Sequence, residues 1–236
     1  MAAAALPAPA QVLIAADEVP AMEVLAARLK SAAGLSSTVV KQPDLPADLA
    51  PYSTLVVYVH RNLDPALEHA AIGFAERGGR LVLLHHSISS AKRKNREWFP
   101  FLGVELAEGD AAQGGYKWIE GVSWEIVNLA PADPVTARGV QYPATATYRG
   151  AARPAIQLED SEVYLNHHLS GPRTVLLGLC FRDPKTGTVY EQDTAGWYRP
   201  AGRGWVMYFM AGHSAREFEN PAYSQILVNA VRARLR

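Results

Sequence analysis

The feature that most restricts this chain's fold is an alternation near its start, where short unbroken apolar runs are separated by stretches of helical period. Gln11–Ala16 (QVLIAA) is a short run, apolar from Val12 on, that ends at Asp17, the pattern of a strand buried on both faces. Over Val19–Ala33 apolar residues recur at Met22, Leu25, Ala26 and Leu29, with Glu23, Arg28 and Lys30 on other faces. That spacing predicts a helix, with Gly34 as its C-cap. Ser37–Val40 and residues 53–60 (STLVVYVH) read as the second and third strands. Asp64-Pro65 pairs an N-cap acceptor with proline at the first helical position, and the helix it opens runs through Leu67, Ala70, Ala71 and Phe74 to Gly78-Gly79. Arg80–Leu84 is then a fourth strand. Repeated strand–helix–strand units of this spacing imply a right-handed parallel α/β sheet.

The remainder differs. Between residues 114 and 165 the runs are short and turn-rich (116–120, 124–128, Ala144–Tyr148, 155–158 and 163–165), which reads as an antiparallel elaboration in the middle of the chain. Strand character returns at 174–181, at 193–199 and in the buried run 204–211 (GWVMYFMA), which Gly212-His213-Ser214 follows. Asn220-Pro221 opens a last helix with Ile226, Leu227, Ala230 and Val231 on its apolar face and Arg232, Arg234 and Arg236 at its carboxyl end. With 236 residues and no linker-like stretch, residues 11–236 read as one domain large enough to bury a core without disulfides. Residues 1–10 (MAAAALPAPA) read either as a disordered Ala/Pro tail or as the trimmed remnant of a signal peptide, leaving cytoplasmic and periplasmic or secreted locations both open.

Charge excludes some partners. The 23 Lys and Arg balance the 23 Asp and Glu, so the basic excess that drives non-specific nucleic-acid binding is missing. The one basic run, Lys92-Arg93-Lys94-Asn95-Arg96, reads as a solvated loop or first helical turn, with contact to an anionic ligand as the alternative. No apolar stretch has the length of a membrane span. The single cysteine, Cys180, lies in an apolar run and reads as a small buried hydrophobe.

Open α/β sheets bind ligands outside the carboxyl ends of their strands. Three strands end in histidine: His60 after the third, His85-His86 after the fourth and His213 after the last. His167-His168, beside Tyr164, is positioned to join them from the middle segment, whereas His69 lies inside a helix and reads as exposed. The sequence holds no G-x-S-x-G elbow, P-loop, H-E-x-x-H or paired C-x-x-C. Any zinc site would therefore be assembled from distant histidines and carboxylates.

Four stretches resemble the trehalose-utilisation (ThuA-like) family: Gly78-Gly79-Arg80 through His85; Trp98-Phe99-Pro100-Phe101-Leu102-Gly103; Ser161-Glu162-Val163-Tyr164; and Trp197 through Gly202-Arg203-Gly204 to Gly212-His213. The pattern departs at Ser161, where the family has Asp, at Ala195-Gly196 and at Trp205. The resemblance implies a flavodoxin-like, class I glutamine amidotransferase-like α/β fold: an open, mostly parallel sheet with helices on both faces. Related amidotransferases carry a cysteine nucleophile after the elbow strand; His85-His86-Ser87 stands there instead, which excludes thiol-based glutamine hydrolysis. The resemblance also implies a carbohydrate ligand, a sugar, keto-sugar or glycoside. Chemistry compatible with it would use Glu162 as general base with His85 or His213 as partner, and His60, His86 and His167 as hydrogen-bonding groups. Trp98, Trp197 and Tyr164 would stack on the sugar. Two alternatives stay open: a His/Glu metal site in a hydrolase, and a non-catalytic carbohydrate-binding or accessory module. Cofactor and oligomeric state are not legible.

Overall fold

The computed structural model describes residues 11–234; the expectations for residues 1–10 and for Arg236 lie outside them. The parallel half is β1 (Gln11–Ala16), α1 (Val19–Ala33), β2 (Ser37–Val40), β3 (Tyr52–Tyr58), α2 (Pro65–Glu76) and β4 (Arg80–Leu84). A short helix α3 (Trp98–Leu102) and strand β5 (Val104–Leu106) follow. The middle contains β6 (Lys117–Asn128), α4 (Pro134–Ala137), β7 (Ala144–Tyr148), β8 (Ala151–Leu165) and β9 (His167–Leu169). The chain ends with β10 (Thr174–Arg182), β11 (Val189–Ala201), β12 (Gly204–Phe209), α5 (Ala215–Glu219) and α6 (Pro221–Arg232).

Ten strands form one sheet in the order β2-β1-β3-β4-β12-β11-β10-β6-β8-β7, and β5 pairs with β9 separately. The first five strands are parallel and the rest antiparallel. The mixed α/β sheet expected from the sequence is therefore observed. From β1 the chain steps outward to β2, then returns and steps the other way through β3 and β4. Right-handed crossovers in opposite directions place α1 and α2 on opposite faces. Accordingly α1 packs with α5 and α6, while α2 packs on β4 and β12. The reversal opens a crevice between the carboxyl ends of β1 and β3, where such folds seat ligands. Local chemistry sets the helix starts: Asp64 Oδ1 accepts from Ala66 N at 2.8 Å, and Asn220 Oδ1 accepts from Ala222 N and Tyr223 N.

The middle segment departs from its sequence reading. Runs 116–120 and 124–128 are one strand, β6, and runs 155–158 and 163–165 are one strand, β8. Register shifts at Glu120/Val122 and Val122/Trp124, with positive φ at Gly121 and Asp160, interrupt the alternation that would have revealed them. Those bulges bend the ribbon: its 124–128 portion borders β10, while its 161–165 portion reaches the carboxyl edge of the parallel strands. Segment 193–199 extends to Val189–Ala201 because it pairs on both sides, with β10 and β12. Cys180 is partly exposed beside Val127 and Tyr148 in a small satellite cluster, not sealed in the core.

Candidate functional site

His85 is the first residue beyond β4 and has φ +48, a left-handed conformation that non-glycine residues rarely adopt. It is held there from both sides. Its Nδ1 lies 2.6 Å from the carbonyl of Met210, and its own carbonyl accepts from Tyr208 Oη at 3.1 Å. His86 follows in a 3-10 turn whose Ser87 carbonyl accepts from Trp98 Nε1 at 2.8 Å. His213 arrives from the tip of β12 through Gly212, which has φ +130 and where an added Cβ would stand 2.9 Å from Phe218 and 3.2 Å from His85 Cβ. The bent ribbon delivers Glu162. Glu217 ties the ribbon to the β12 tip: its Oε2 accepts from Gly212 N at 2.6 Å and its Oε1 from Ser161 Oγ at 2.7 Å.

All these groups converge on one oxygen, Glu162 Oε2. His85 Nε2 is 2.9 Å away, His86 Nε2 3.1 Å, His213 Nδ1 3.4 Å and Tyr164 Oη 2.9 Å. His86 Nε2 and His213 Nδ1 are close but out of line for a hydrogen bond, so both nitrogens are buried without a partner. Burial works to raise the Glu162 carboxyl pKa, but the surrounding imidazoles of His213, His85 and His86 outweigh it and hold it well below the usual range. The Glu162 carboxylate in turn raises the pKa of His213 against the effect of burial. Burial takes His86 down to about 3, so its ring is neutral at physiological pH.

A second ring of residues stands at the β1/β3 crevice. The His60 and His86 rings stack at 3.7 Å between centroids, and His60 Nδ1 lies 2.7 Å from Glu18 Oε1. Asp17, at the end of β1, accepts from the backbone N–H groups of His60 and Arg61. Lys92 corrects the reading of its basic run as a solvated loop. It is completely buried, and its Nζ donates to the carbonyls of Val59 at 2.6 Å and His60 at 2.8 Å. It clamps the end of β3, and burial draws its pKa down to about 7. The site opens to solvent through the His213 side chain, 27% exposed, and that of His60, 46% exposed.

The structure brings His60, His85, His86, Glu162, Tyr164 and His213 together and sets the other expected residues apart. Trp98 and Trp197 are fully buried, which corrects the expectation that they stack on a sugar: neither ring face is open. Trp98 instead braces the turn bearing His85 and His86. Tyr164 is buried too, and contributes its hydroxyl rather than its ring face. His69 is exposed on α2, as its position implied.

His167 also departs from a ligand-contact role. It is sealed among Tyr116, Tyr164 and Tyr208 with neither ring nitrogen partnered, and burial lowers its pKa to about 3. An unfolded histidine titrates near 6.5, so below that pH the unfolded chain binds a proton that folded His167 refuses. Its contribution is therefore complete above pH 6.5 and is lost as the pH falls towards 3. Chemical denaturation of the parent and of His167→Phe at pH 7 and pH 5.5 should show the variant gaining about 1 kcal/mol on the parent at the lower pH. Parallel behaviour would mean that His167 takes up its proton in the fold as readily as in the unfolded chain.

Sequence reasoning missed Asp17, Glu18, Lys92, Ser161 and Glu217 as parts of the site. Asp17 and Glu18 carried a signal, since they follow β1 at the same sheet edge as the histidines. Two sizeable cavities lie elsewhere. One of about 490 Å³ is lined by Arg80, Val135 and Arg138, and one of about 840 Å³ by Ser53, Phe74 and Arg80. Arg80 opens β4, so both are at the opposite end of the sheet from the histidines.

The mixed sheet thus gathers three imidazoles and a carboxylate at the carboxyl edge of its parallel strands, with a histidine in the strained turn after β4. The family model for ThuA, described as trehalose utilisation, matches residues 12–232, and the chain belongs to that family. No curated protein sequence matches it. Among solved structures, a putative ThuA-like protein from Bacteroides uniformis is 18% identical with a TM-score of 0.63, the alignment covering 98% of this chain and 93% of that one. The carbohydrate deacetylase Agd3 is 15% identical (TM-score 0.61), with 95% of this chain aligned to 32% of the enzyme. PurLQS from Thermotoga maritima is 12% identical (TM-score 0.52), with 95% and 99% covered. At these identities the likeness is one of fold.

Proposed function

We propose that this chain is an enzyme acting on a sugar, keto-sugar or glycoside, and that His85, His86, His213 and Glu162 hold a divalent metal ion at its centre. One observation carries the reading. The Met210 carbonyl can only accept, so His85 Nδ1 carries the hydrogen and a neutral His85 presents its Nε2 lone pair to a carboxylate oxygen 2.9 Å away. Two electron-rich atoms at that separation repel unless a proton or a cation lies between them. His86 Nε2 and His213 Nδ1 face the same point unpartnered, and leaving buried polar atoms so costs about 1–3 kcal/mol each. A cation satisfies every one of these atoms, whereas a single proton satisfies only one pair.

The spacing fits. Bonds of about 2.0–2.2 Å in a tetrahedral set put ligand atoms roughly 3.3 Å apart. The three nitrogens lie 2.9, 3.1 and 3.4 Å from the carboxylate oxygen, and all four atoms are within 4.8 Å of one another. Three imidazoles and a carboxylate suit zinc or a similar first-row ion. The carbonyl behind His85 is the kind of outer hydrogen bond that orients a ligating histidine.

When bound, such an ion supplies Lewis acidity towards a sugar oxygen or water. The protein's own residues supply the rest. Glu18 fixes His60 at the mouth, where its ring can hold or move a proton at Nε2; Tyr164 Oη donates to Glu162; and Lys92 and Asp17 keep the end of β3 in place. The family's trehalose-utilisation description and the carbohydrate deacetylase among its structural relatives support a carbohydrate as the substrate.

A metal-free acid–base pair of Glu162 and His85 is the second reading, favoured by their direct 2.9 Å contact. Stripping the purified protein with a chelator and reloading it with zinc, manganese or nickel separates the two on a panel of glycosides and their keto derivatives. The metal reading predicts turnover lost on stripping and restored by one ion. Turnover unaffected by stripping would leave the acid–base pair.

A further inference from the structure

We infer that Trp118, with Glu120 beside it, is the surface on which a pyranose ring is held against the histidine centre. This rests on the carbohydrate reading above and names the residues that would recognise the sugar.

The inference begins with register. In the β6–β8 ribbon Trp118 pairs with Tyr164, and Glu120 pairs with Glu162. Directly paired residues point to the same face of a sheet, with Cβ atoms about 4.5–5.5 Å apart. Residues two apart on one strand share that face as well. Trp118 and Glu120 therefore stand on the face that carries Glu162 and Tyr164 to the histidines. The opposite face is accounted for, because Val163 is completely buried and Ile119 packs on the core.

Exposure then separates the tryptophans. Trp98 and Trp197 are fully buried and Trp124 is 2% exposed, whereas Trp118 is 49% exposed. A half-exposed indole is costly to leave in water, and here it is the cross-strand partner of the Tyr164 that bonds Glu162. Its flat apolar face matches the C–H face of a pyranose, and its position at the margin of a polar site is where a rigid amphipathic ring orients a ligand. Glu120 is exposed and adds an acceptor pair for sugar hydroxyls. The stacking role expected of Trp98 and Trp197 thus falls to a tryptophan on the bent ribbon.

The full chain, loaded with zinc, is titrated with trehalose, methyl α-glucoside and a keto derivative of each, followed by calorimetry and intrinsic fluorescence. The parent should bind at least one of them with a change in tryptophan emission. Trp118→Ala should weaken that binding about fivefold or more, an aromatic stack's worth. Trp118→Phe should recover most of the loss, with zinc content and melting temperature unchanged in both. A parent that binds sugar while Trp118→Ala binds it equally well overturns the platform and leaves the carbohydrate reading standing. A zinc-loaded parent that binds none of these sugars overturns both.

Discussion

Glu162→Gln is expected to weaken binding of zinc or a related ion by more than about a hundredfold and to abolish turnover. Loss of an outer hydrogen bond alone costs a metal site about 10–100-fold, and here the anionic ligand itself is removed. Glutamine keeps the shape and one acceptor oxygen, so the fold should survive. The charge is what the site cannot replace. Three imidazole nitrogens would remain around a neutral oxygen, two of them already unpartnered in the folded chain. Calorimetric titration of zinc into chelator-stripped parent and variant measures the effect, with circular dichroism as the check on folding. Equal affinity would show that the ion, if any, is held elsewhere.

Glu217→Ala is expected to have the largest effect on stability. Glu217 touches none of the converging atoms, yet it is buried and accepts from Gly212 N and Ser161 Oγ. Trp124 Nε1 in turn donates to Ser161 Oγ at 3.0 Å. One carboxylate therefore joins the strand tip that carries His213 to the ribbon that carries Glu162. Alanine would strand a buried N–H and a buried hydroxyl, costing about 3–5 kcal/mol in all. For a chain of this size that lowers the melting temperature by about 10 °C. Zinc affinity should fall too, by about 10–100-fold, because His213 loses its anchor. Glu217→Gln, which can still accept from Gly212 N and bond Ser161, should lose less than half as much stability. A Glu217→Ala protein that melts with the parent would show that the two segments are held by packing alone.

The parallel half of the fold was legible because its strands are buried on both faces and its helices announce their starts. The runs ending at Ala16 and Leu84 and the caps at Asp64 and Asn220 are local signals, and the structure uses them as read. The antiparallel half was less legible because bulges near Gly121 and Asp160 break the period-two alternation. Those same bulges carry Glu162 over the sheet edge, so the feature that hid the strands is the one that builds the site.

Histidines at strand ends could be placed on one edge from sequence because parallel strands share a direction. Which aromatic faces water could not. Trp98 and Trp118 look alike in sequence, and only packing separates a brace beneath the His85-His86 turn from an exposed ring on the ribbon. Lys92 was misread for a similar reason: a lysine in a basic run is ordinarily solvated, and only the carbonyls of Val59 and His60 at the end of β3 explain its burial. Glu217 lies five residues beyond Gly212, and its partner Ser161 is 56 residues away in the chain.

The most direct test is an anomalous diffraction map from crystals of the full chain grown with zinc and recorded across the zinc absorption edge. The metal reading predicts one strong peak about 2.0–2.2 Å from His85 Nε2, His86 Nε2, His213 Nδ1 and a Glu162 oxygen. No peak among those four atoms, or zinc held only at exposed histidines such as His69, would contradict it.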